Sequence, residues 1–200
     1  MRRLAAPLLL ALTAVLLAHP AAAQDDPPPP GPYVVDLRVA TSGVPAVPLS
    51  TPGPVTGPID LPTRGTGFDV GGHVYAGRLG PARLGFGASV LAVTASNEAG
   101  EAAFRAIVPQ ISFNFGTRSG WSYLSLGAGR AKTTASSLVG SDEVRSDGTQ
   151  VVAVYAGGGA RWCVSNHVAV GFDLRLHRAG ADGATPAAML VAASAGISLR

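Results

Sequence analysis

The sequence predicts an all-β fold, an eight-stranded antiparallel up-and-down transmembrane β-barrel. Three observations lead to it: strict alternation of apolar and polar side chains, loops that alternate between long and short, and an apolar composition. Alternation indicates β-strands because successive side chains point to opposite faces of a strand. Hydrophobic residues make up 47% of the chain and charged residues only 14%. No apolar segment after residue 23 is long enough to cross a bilayer as a helix, so strands are the expected spanning elements.

The clearest alternation lies in residues 168–176. Asp173 and Arg175 share one face of this strand. The opposite face has no polar interruption over five positions: Val168, Val170, Phe172, Leu174 and Leu176. Such a strand suits a membrane barrel with lipid outside and ion pairs inside, whereas a small soluble barrel turns its apolar face inward.

All eight strands are predicted from the same alternation: 33–39, 67–77, 83–93, 103–115, 121–129, 150–162, 168–176 and 187–200. Residues 42–64 contain six prolines, which excludes a central strand and predicts a long loop. Residues 96–102 and 132–148 are predicted to be longer polar loops. Pro109 removes one ladder hydrogen bond, so a bulge is expected there. The loop lengths place both termini and the short turns at one end of the barrel, and the long loops at the other.

Residues 1–23 predict a secretory signal peptide, with a basic start, an apolar run and small residues before the expected cleavage site. Residues 24–32 are polar and then proline-rich, which predicts an extended linker. The barrel domain is expected over residues 33–200. Its export predicts a location beyond the cytoplasm.

Charge and cysteine content limit the possible partners. The full chain has 15 lysine and arginine residues against 12 aspartate and glutamate residues. Removing Arg2 and Arg3 with the signal peptide leaves a nearly neutral chain, so nucleic acid is not an implied partner. Cys163 is the single cysteine, so no disulfide framework is possible and a structural thiol is expected.

The polar faces predict ion pairs within the barrel, because an unpaired charge inside a narrow lumen is costly. Neighbouring glycines leave room for large side chains there. The Asp173 and Arg175 side chains are expected to reach toward Asp36 and Arg38 of the first strand. The complete predicted set of lumen ion-pair residues is Asp36, Arg38, Asp69, Arg161, Asp173 and Arg175.

Trp121 and Trp162 flank short turns, so they are predicted to be interface aromatics of the girdle that borders a membrane. At that border the indole rings would lie against lipid at the end of the barrel that carries the short turns.

Residues 157–167, GGGARWCVSNH, followed by the alternating residues 168–175, resemble the hairpin before the last strand of small bacterial outer-membrane β-barrel proteins. Residues 196–200, GISLR, are similar to their final strand. The resemblance implies the cell outer membrane as location, outer-membrane lipid as partner and the barrel-insertion machinery during assembly. Many of these proteins end in an aromatic residue, whereas this sequence ends in Arg200. A monomer is favoured.

The sequence predicts no catalytic residue, metal or cofactor. His73, His167 and His177 with Cys163 could be considered as metal ligands. His167 and His177 lie at opposite ends of a strand, roughly 30 Å apart at the usual strand rise, so they cannot share a metal. The glycine-rich segments do not open helices, which excludes phosphate-binding loops.

A non-enzymatic structural or surface-interaction role in the cell envelope is therefore predicted. One alternative is a lipid A-modifying outer-membrane enzyme, in which His177 and Asp173 act with Ser136, Ser137 or Ser141. Another is a secreted soluble barrel that binds a small apolar ligand. A general diffusion pore is disfavoured, because side chains fill the lumen of an eight-stranded barrel.

Overall fold

The computed structural model describes residues 31–47, 49, 60–117, 119–139, 142–181 and 186–200. The predicted signal peptide and most of the predicted linker lie outside the described residues. Strand structure dominates the described part of the chain, and no helix in it has the length and apolar character needed to cross a bilayer. The described strands are β1 Tyr33–Gly43, β2 Arg64–Leu79, β3 Ala82–Asn97, β4 Gly100–Thr117, β5 Gly120–Val139, β6 Asp142–Asp147, β7 Val151–Cys163, β8 Val168–Ala179 and β9 Ala188–Leu199.

Eight of these strands form a closed ring in the order β1, β2, β3, β4, β5, β7, β8 and β9, and β9 pairs again with β1. All neighbouring pairs are antiparallel. The short β6 lies outside the ring and pairs only with the last six residues of β5, Thr134 to Val139. The predicted eight-stranded antiparallel up-and-down barrel is confirmed.

The strands extend further at the loop end than predicted. Residues 96–102 are a tight turn between β3 and β4 rather than a loop, and most of residues 132–148 form the β5–β6 hairpin. Both loop predictions were wrong, because the regular series of apolar side chains on the outward face does not continue into these residues. Backbone pairing continues there without an apolar face to mark it in the sequence.

The β3–β4 turn is held by a side chain that caps its backbone. Asn97 Oδ1 accepts hydrogen bonds from the backbone N–H groups of Ala99 and Gly100, each at 3.0 Å. The amide of Asn97 also donates to the carbonyl oxygen of Asp60, 2.9 Å away. One asparagine therefore fixes the turn and ties it to the end of the long β1–β2 loop.

Pro109 interrupts the ladder between β4 and β5 without a bulge. Pairing skips Val108 and Pro109 on β4, opposite Ala128 and Gly129 on β5, and resumes beyond them in an unchanged register. The predicted bulge was wrong: the missing N–H of proline removes a ladder bond, but it does not require an extra residue. On its other side Pro109 lies in regular register opposite Ala88 of β3.

The apolar faces point outward, and the charged faces point into the barrel. On β1 the side chains of Leu37 and Val39 are 52% and 65% exposed, whereas those of Asp36 and Arg38 between them are 2% exposed. The same contrast recurs on β8, where Phe172 and Leu174 are exposed and Asp173 is buried. A soluble barrel places its apolar side chains inside, so this distribution is that of a transmembrane barrel.

Candidate functional site: the occluded lumen

The lumen contains the six charged residues that the sequence predicted for it, and the structure brings them into one connected cluster. They come from four strands: β1 contributes Asp36 and Arg38, β2 Asp69, β7 Arg161, and β8 Asp173 and Arg175. A fifth strand, β9, contributes serine hydroxyls that bond the carboxylates. All six residues are at most 5% exposed.

Asp36 lies at the end of the cluster nearest the short turns. Its Oδ1 accepts from Arg161 Nε at 3.0 Å, and its Oδ2 accepts from Arg161 Nη2 at 2.6 Å. Such a two-point contact fixes both the position and the plane of the guanidinium group. The Ser198 hydroxyl donates to Asp36 Oδ1 at 2.5 Å, and Arg38 Nη2 lies 2.8 Å from the same oxygen.

Arg175 joins the other two carboxylates. It donates from Nε to Asp173 Oδ1 at 3.1 Å and from Nη1 to Asp69 Oδ1 at 3.2 Å. A further Nη1 bond of 2.9 Å reaches the hydroxyl of Ser89. The Tyr123 hydroxyl donates to Asp173 Oδ2 at 2.5 Å. The carboxylates of Asp69 and Asp173 are therefore held from several strands at once.

Arg38 links the two ends of the cluster. Beyond its contact with Asp36, its Nη1 lies 3.3 Å from Asp69 Oδ2 and 3.4 Å from Asp173 Oδ2. Three aspartates thus face three arginines, and the cluster is neutral when all six are ionised. This balance limits the cost of burying the charges, because each has partners within the lumen. The predicted reach of β8 toward β1 is present at Arg38 and Asp173, while Asp36 pairs mainly with Arg161 of β7.

Aromatic rings complete the packing around the arginines. The Arg161 guanidinium carbon lies 4.1 Å from the ring centre of Tyr123, and that of Arg175 lies 5.0 Å from the ring centre of Tyr155. At these distances a guanidinium group is attracted to the face of the ring. The Tyr155 hydroxyl also donates to Gln110 Oε1 of β4, the strand on the other side of β5.

Glycines on the neighbouring strands make room for these large side chains. Gly159 lies directly opposite Tyr123 in the β5–β7 register, and a Cβ added there would lie 2.8 Å from the tyrosine hydroxyl oxygen. Gly157 lies opposite Arg175, where a Cβ would meet the arginine Cγ at 2.8 Å. The glycine-rich segment of β7 therefore has a packing role, in agreement with its interpretation from the sequence.

The half of the lumen nearer the loop end is apolar, which the sequence did not predict. Phe104 is completely buried there, and Leu91, Val93 and Val108 surround it. Residues of the β1–β2 loop enter the same cluster: Val44, Val47 and Leu61. The sequence contains a signal for this core, because the inward faces of β3 and β4 carry apolar residues near the loop end. The continuous series of apolar residues on the outward faces of the same strands obscured that signal. Ion-paired side chains fill one half of the lumen, and an apolar core fills the other half.

The two tryptophans have different environments. Trp162 of β7 is 53% exposed on the outer surface, and its ring centre lies 5.8 Å from that of Phe172. Trp121 of β5 is 3% exposed and faces inward, with the Arg161 guanidinium 5.6 Å from its ring centre. The prediction that Trp121 is an interface aromatic was wrong. The position of Trp121 next to a short turn indicated its height along the barrel axis. Whether its side chain points inward or outward depends on the alternation of side chains along β5, which places Trp121 on the inward face.

The residues considered for catalysis are not brought together. His177 is buried between the rings of Phe104 and Tyr155, and its two ring nitrogens have no hydrogen-bond partner among the described residues. Asp173 is engaged by arginines and Tyr123, as described above. The hydroxyl of Ser137 donates to the backbone oxygen of Ala99 at 2.5 Å. Ser141 lies outside the described residues.

The described residues contain no group of three or more His, Cys, Asp or Glu side chains that could hold a metal ion. His73 is buried in the lumen, whereas His167 is exposed in the β7–β8 turn. Cys163 at the end of β7 is a free, half-buried cysteine that packs against the cluster of Val34, Tyr75, Trp121 and Tyr123.

Comparison with known proteins identifies the fold. No protein-family model matches the chain, and no curated protein matches its sequence significantly. Solved structures do match it with high probability. Neisserial surface protein A (NspA) superposes with a TM-score of 0.53 at 15% sequence identity, covering 84% of this chain and 97% of that one. The fold is that of the small outer-membrane β-barrels.

Two further structures agree. Ail, the attachment invasion locus protein of Yersinia pestis, superposes with a TM-score of 0.52 at 14% identity, covering 84% of this chain and 96% of that one. The outer membrane protein OprG from Pseudomonas aeruginosa gives 0.53 at 8% identity, covering 84% and 94%. At such low identity the similarity concerns the fold, and it carries no functional residue from one chain to the other.

Proposed function

We propose that this chain is an outer-membrane barrel with a closed lumen and a non-enzymatic role in the cell envelope, exerted by the elements it presents at its loop end. One observation carries the proposal: exposed apolar side chains surround the barrel, while paired charges and an apolar core fill its lumen. Lipid is the solvent that suits such an outer surface. A lumen filled in this way is suited to support rather than to passage or chemistry.

The loop end supplies a surface for contact with other molecules. The β5–β6 hairpin lies there outside the closed ring, and Val144 is its buried apolar residue. Its outward positions carry the exposed charged residues Glu143, Arg145 and Asp147. Two of the structurally similar proteins are described as an attachment invasion locus protein and a surface protein, which supports a surface-interaction role here.

Membrane placement is tested with isolated outer membranes. The folded protein is expected in that fraction, and its mobility on a gel is expected to change when the sample is boiled. Leu174→Arg places a charge in the lipid-facing belt and is expected to reduce insertion, since such a change costs roughly 2–4 kcal/mol at mid-membrane. Glu143→Arg on the exposed β6 is the matched control and should insert normally. Recovery of the wild-type protein in the soluble periplasmic fraction would favour the soluble-barrel alternative.

Orientation is tested with epitope tags at the two ends. A tag inserted between Glu98 and Ala99 lies in the β3–β4 turn at the loop end. A tag after Gly80 lies in the β2–β3 turn at the opposite end. Antibody is expected to label the first tag on intact cells and the second only after the outer membrane has been permeabilised. The reverse pattern would contradict the presentation of the loop end at the cell surface.

The absence of transport and of lipid chemistry is tested directly. Planar bilayers that contain the purified protein are expected to show no conductance steps, because ion pairs and an apolar core both close the lumen. Lipid A mass spectra are expected to be unchanged when the gene is deleted. Reproducible conductance steps would indicate a channel function. Loss of a lipid A modification in the deletion strain would favour the enzymatic alternative.

A further inference from the structure

Basic side chains border the lipid-facing belt at its loop end. On β8 the outward face carries Phe172, Leu174 and Leu176 and then Arg178. Two other strands show the same order of apolar and then basic residues toward the loop end. On the outward face of β5, Arg130 and Lys132 follow Leu124, Leu126 and Ala128. Strand β4 runs in the opposite direction, so its Arg105 comes before the outward-facing Ile107, Pro109 and Ile111.

The strand registers bring these basic residues close together. Arg105 lies directly opposite Lys132, and Arg130 follows two positions away on the same face of β5. Arg130 lies opposite Val152 of β7, and Arg178 lies opposite Val154 of the same strand. We call Arg105, Arg130, Lys132 and Arg178 the basic collar.

The described part of the chain neutralises little of this charge. The three arginines are exposed and engage in no ion pair or hydrogen bond within the described part of the chain. Lys132 alone has a carboxylate partner, Asp147 Oδ1, at 3.9 Å, with both side chains substantially exposed. Glu101 is outward-facing on β4, but it lies beyond Arg105 toward the turn and forms no ion pair among the described residues.

Like charges directly opposite each other on a sheet destabilise it unless a counter-charge lies between them. An anion bound beside Arg105, Lys132 and Arg130 would therefore stabilise this part of the sheet. Among the described acidic residues, Asp147 contacts Lys132 and Arg145 and forms no ion pair with the three arginines of the collar.

We propose that the basic collar binds the phosphate groups of anionic lipid in the leaflet around the loop end of the barrel. The position favours a lipid over a soluble anion, because the collar directly borders the apolar belt. Acyl chains can lie along Leu126, Leu174 and their neighbours while the phosphate reaches the arginines. Arginine side chains are suited to this, since their stems pack on apolar surface and their guanidinium groups bind phosphate by two hydrogen bonds.

The inference rests on the proposed outer-membrane placement, and native mass spectrometry of the purified, folded chain tests it separately. The probes are bisphosphorylated lipid A and the same lipid after removal of both phosphates. Wild-type protein is expected to retain the phosphorylated lipid and release the other. The triple variant R105Q/R130Q/R178Q is expected to lose affinity by about fivefold for each arginine, the usual effect of one basic residue at an anionic surface.

Two further variants separate phosphate binding from a general change of charge. R145Q removes one arginine from the exposed β6, outside the collar, and is expected to bind as wild type does. R105K/R130K/R178K keeps the charges and is expected to retain most of the binding. The heat shift on a gel verifies folding of each variant. If the glutamine triple variant does not fold, R178Q alone is compared with R145Q.

Three results would overturn the proposal. Equal retention of the two lipids would show that the protein does not recognise the phosphate groups. Unchanged binding by the glutamine variants would show that the basic collar is not the binding site. Displacement of the lipid by inorganic phosphate at equal concentration would assign the site to a free anion instead. Failure of the membrane placement has a different signature, namely the lack of a heat shift and of outer-membrane recovery in the wild type.

Discussion

Asp36 and Arg161 lie 125 positions apart in the chain, yet their side chains form a two-point ion pair inside the barrel. The pair joins the first strand to β7 across the lumen rather than along the sheet. These two strands are not neighbours in the ring, so no backbone hydrogen bonds connect them. The ion pair therefore stabilises their relative position directly across the lumen. The paired charges therefore brace the barrel across their half of the lumen as well as fill that half.

Asp36→Asn is expected to destabilise the barrel strongly. The change leaves Arg161 and Arg38 without the carboxylate that both contact, and loss of one partner of a buried pair costs roughly 3–5 kcal/mol. Urea unfolding of the protein in lipid vesicles, followed by tryptophan fluorescence, measures the difference. Asp147→Asn is the control, because the Asp147 side chain is 52% exposed and such a pair contributes at most about 1 kcal/mol. Equal losses in the two variants would contradict the bracing role of Asp36.

Gly159→Val is expected to destabilise the barrel through overpacking. The new side chain would meet the backbone oxygen of Phe172 and approach the Tyr123 hydroxyl, which bonds Asp173. Overpacking typically costs about 1–3 kcal/mol. The adjacent Ala160→Val adds comparable bulk on the opposite face, where lipid can yield, and should cost much less. The same unfolding assay compares the two variants, and a reversed order would show that the face assignment of β7 is wrong.

Phe104→Ala is expected to open a cavity in the apolar half of the lumen. Phe104 is 0% exposed, and removal of a buried phenyl ring usually costs about 3–5 kcal/mol. Phe86→Ala removes the same ring from the outer surface, where Phe86 is 48% exposed and lipid can fill the space. Its free energy of unfolding should fall by clearly less. If the two variants lose equal stability, the apolar core at the loop end does not exist as described.

The two tryptophans should respond differently to quenchers within the bilayer. Trp121→Phe leaves only Trp162, whose fluorescence is expected to be quenched strongly by lipids brominated on their acyl chains. Trp162→Phe leaves only Trp121, which lies inside the barrel with 3% exposure and should be quenched little. Spectra of both variants in matched brominated and ordinary vesicles provide the measurement. Strong quenching of Trp121 would show that its ring lies against lipid, as the sequence predicted, and not inside the barrel.

Much of the strand pattern could be predicted because it follows from alternation alone. In residues 168–176 every second side chain is apolar, and period two fixes both the extended conformation and the sorting of faces. The same property explains the error at Trp121: its neighbourhood suggested an interface, but its parity with Tyr123 and Ser125 places it inside. Alternation also gave no warning of the β5–β6 hairpin, because its few apolar residues do not form a continuous apolar face.

The sequence by itself determined that this protein is a barrel of eight antiparallel strands with charges on the face opposite its apolar residues. Local chemistry sufficed for this, because strand periodicity, proline-rich loops and short turns are all properties of neighbouring residues. Only the tertiary structure decided which carboxylate meets which arginine, that Phe104 and Leu91 close the other half of the lumen, and that Arg105 faces Lys132. Those relationships depend on the register between strands distant in sequence, and register is fixed only when the ring closes and its interior packs.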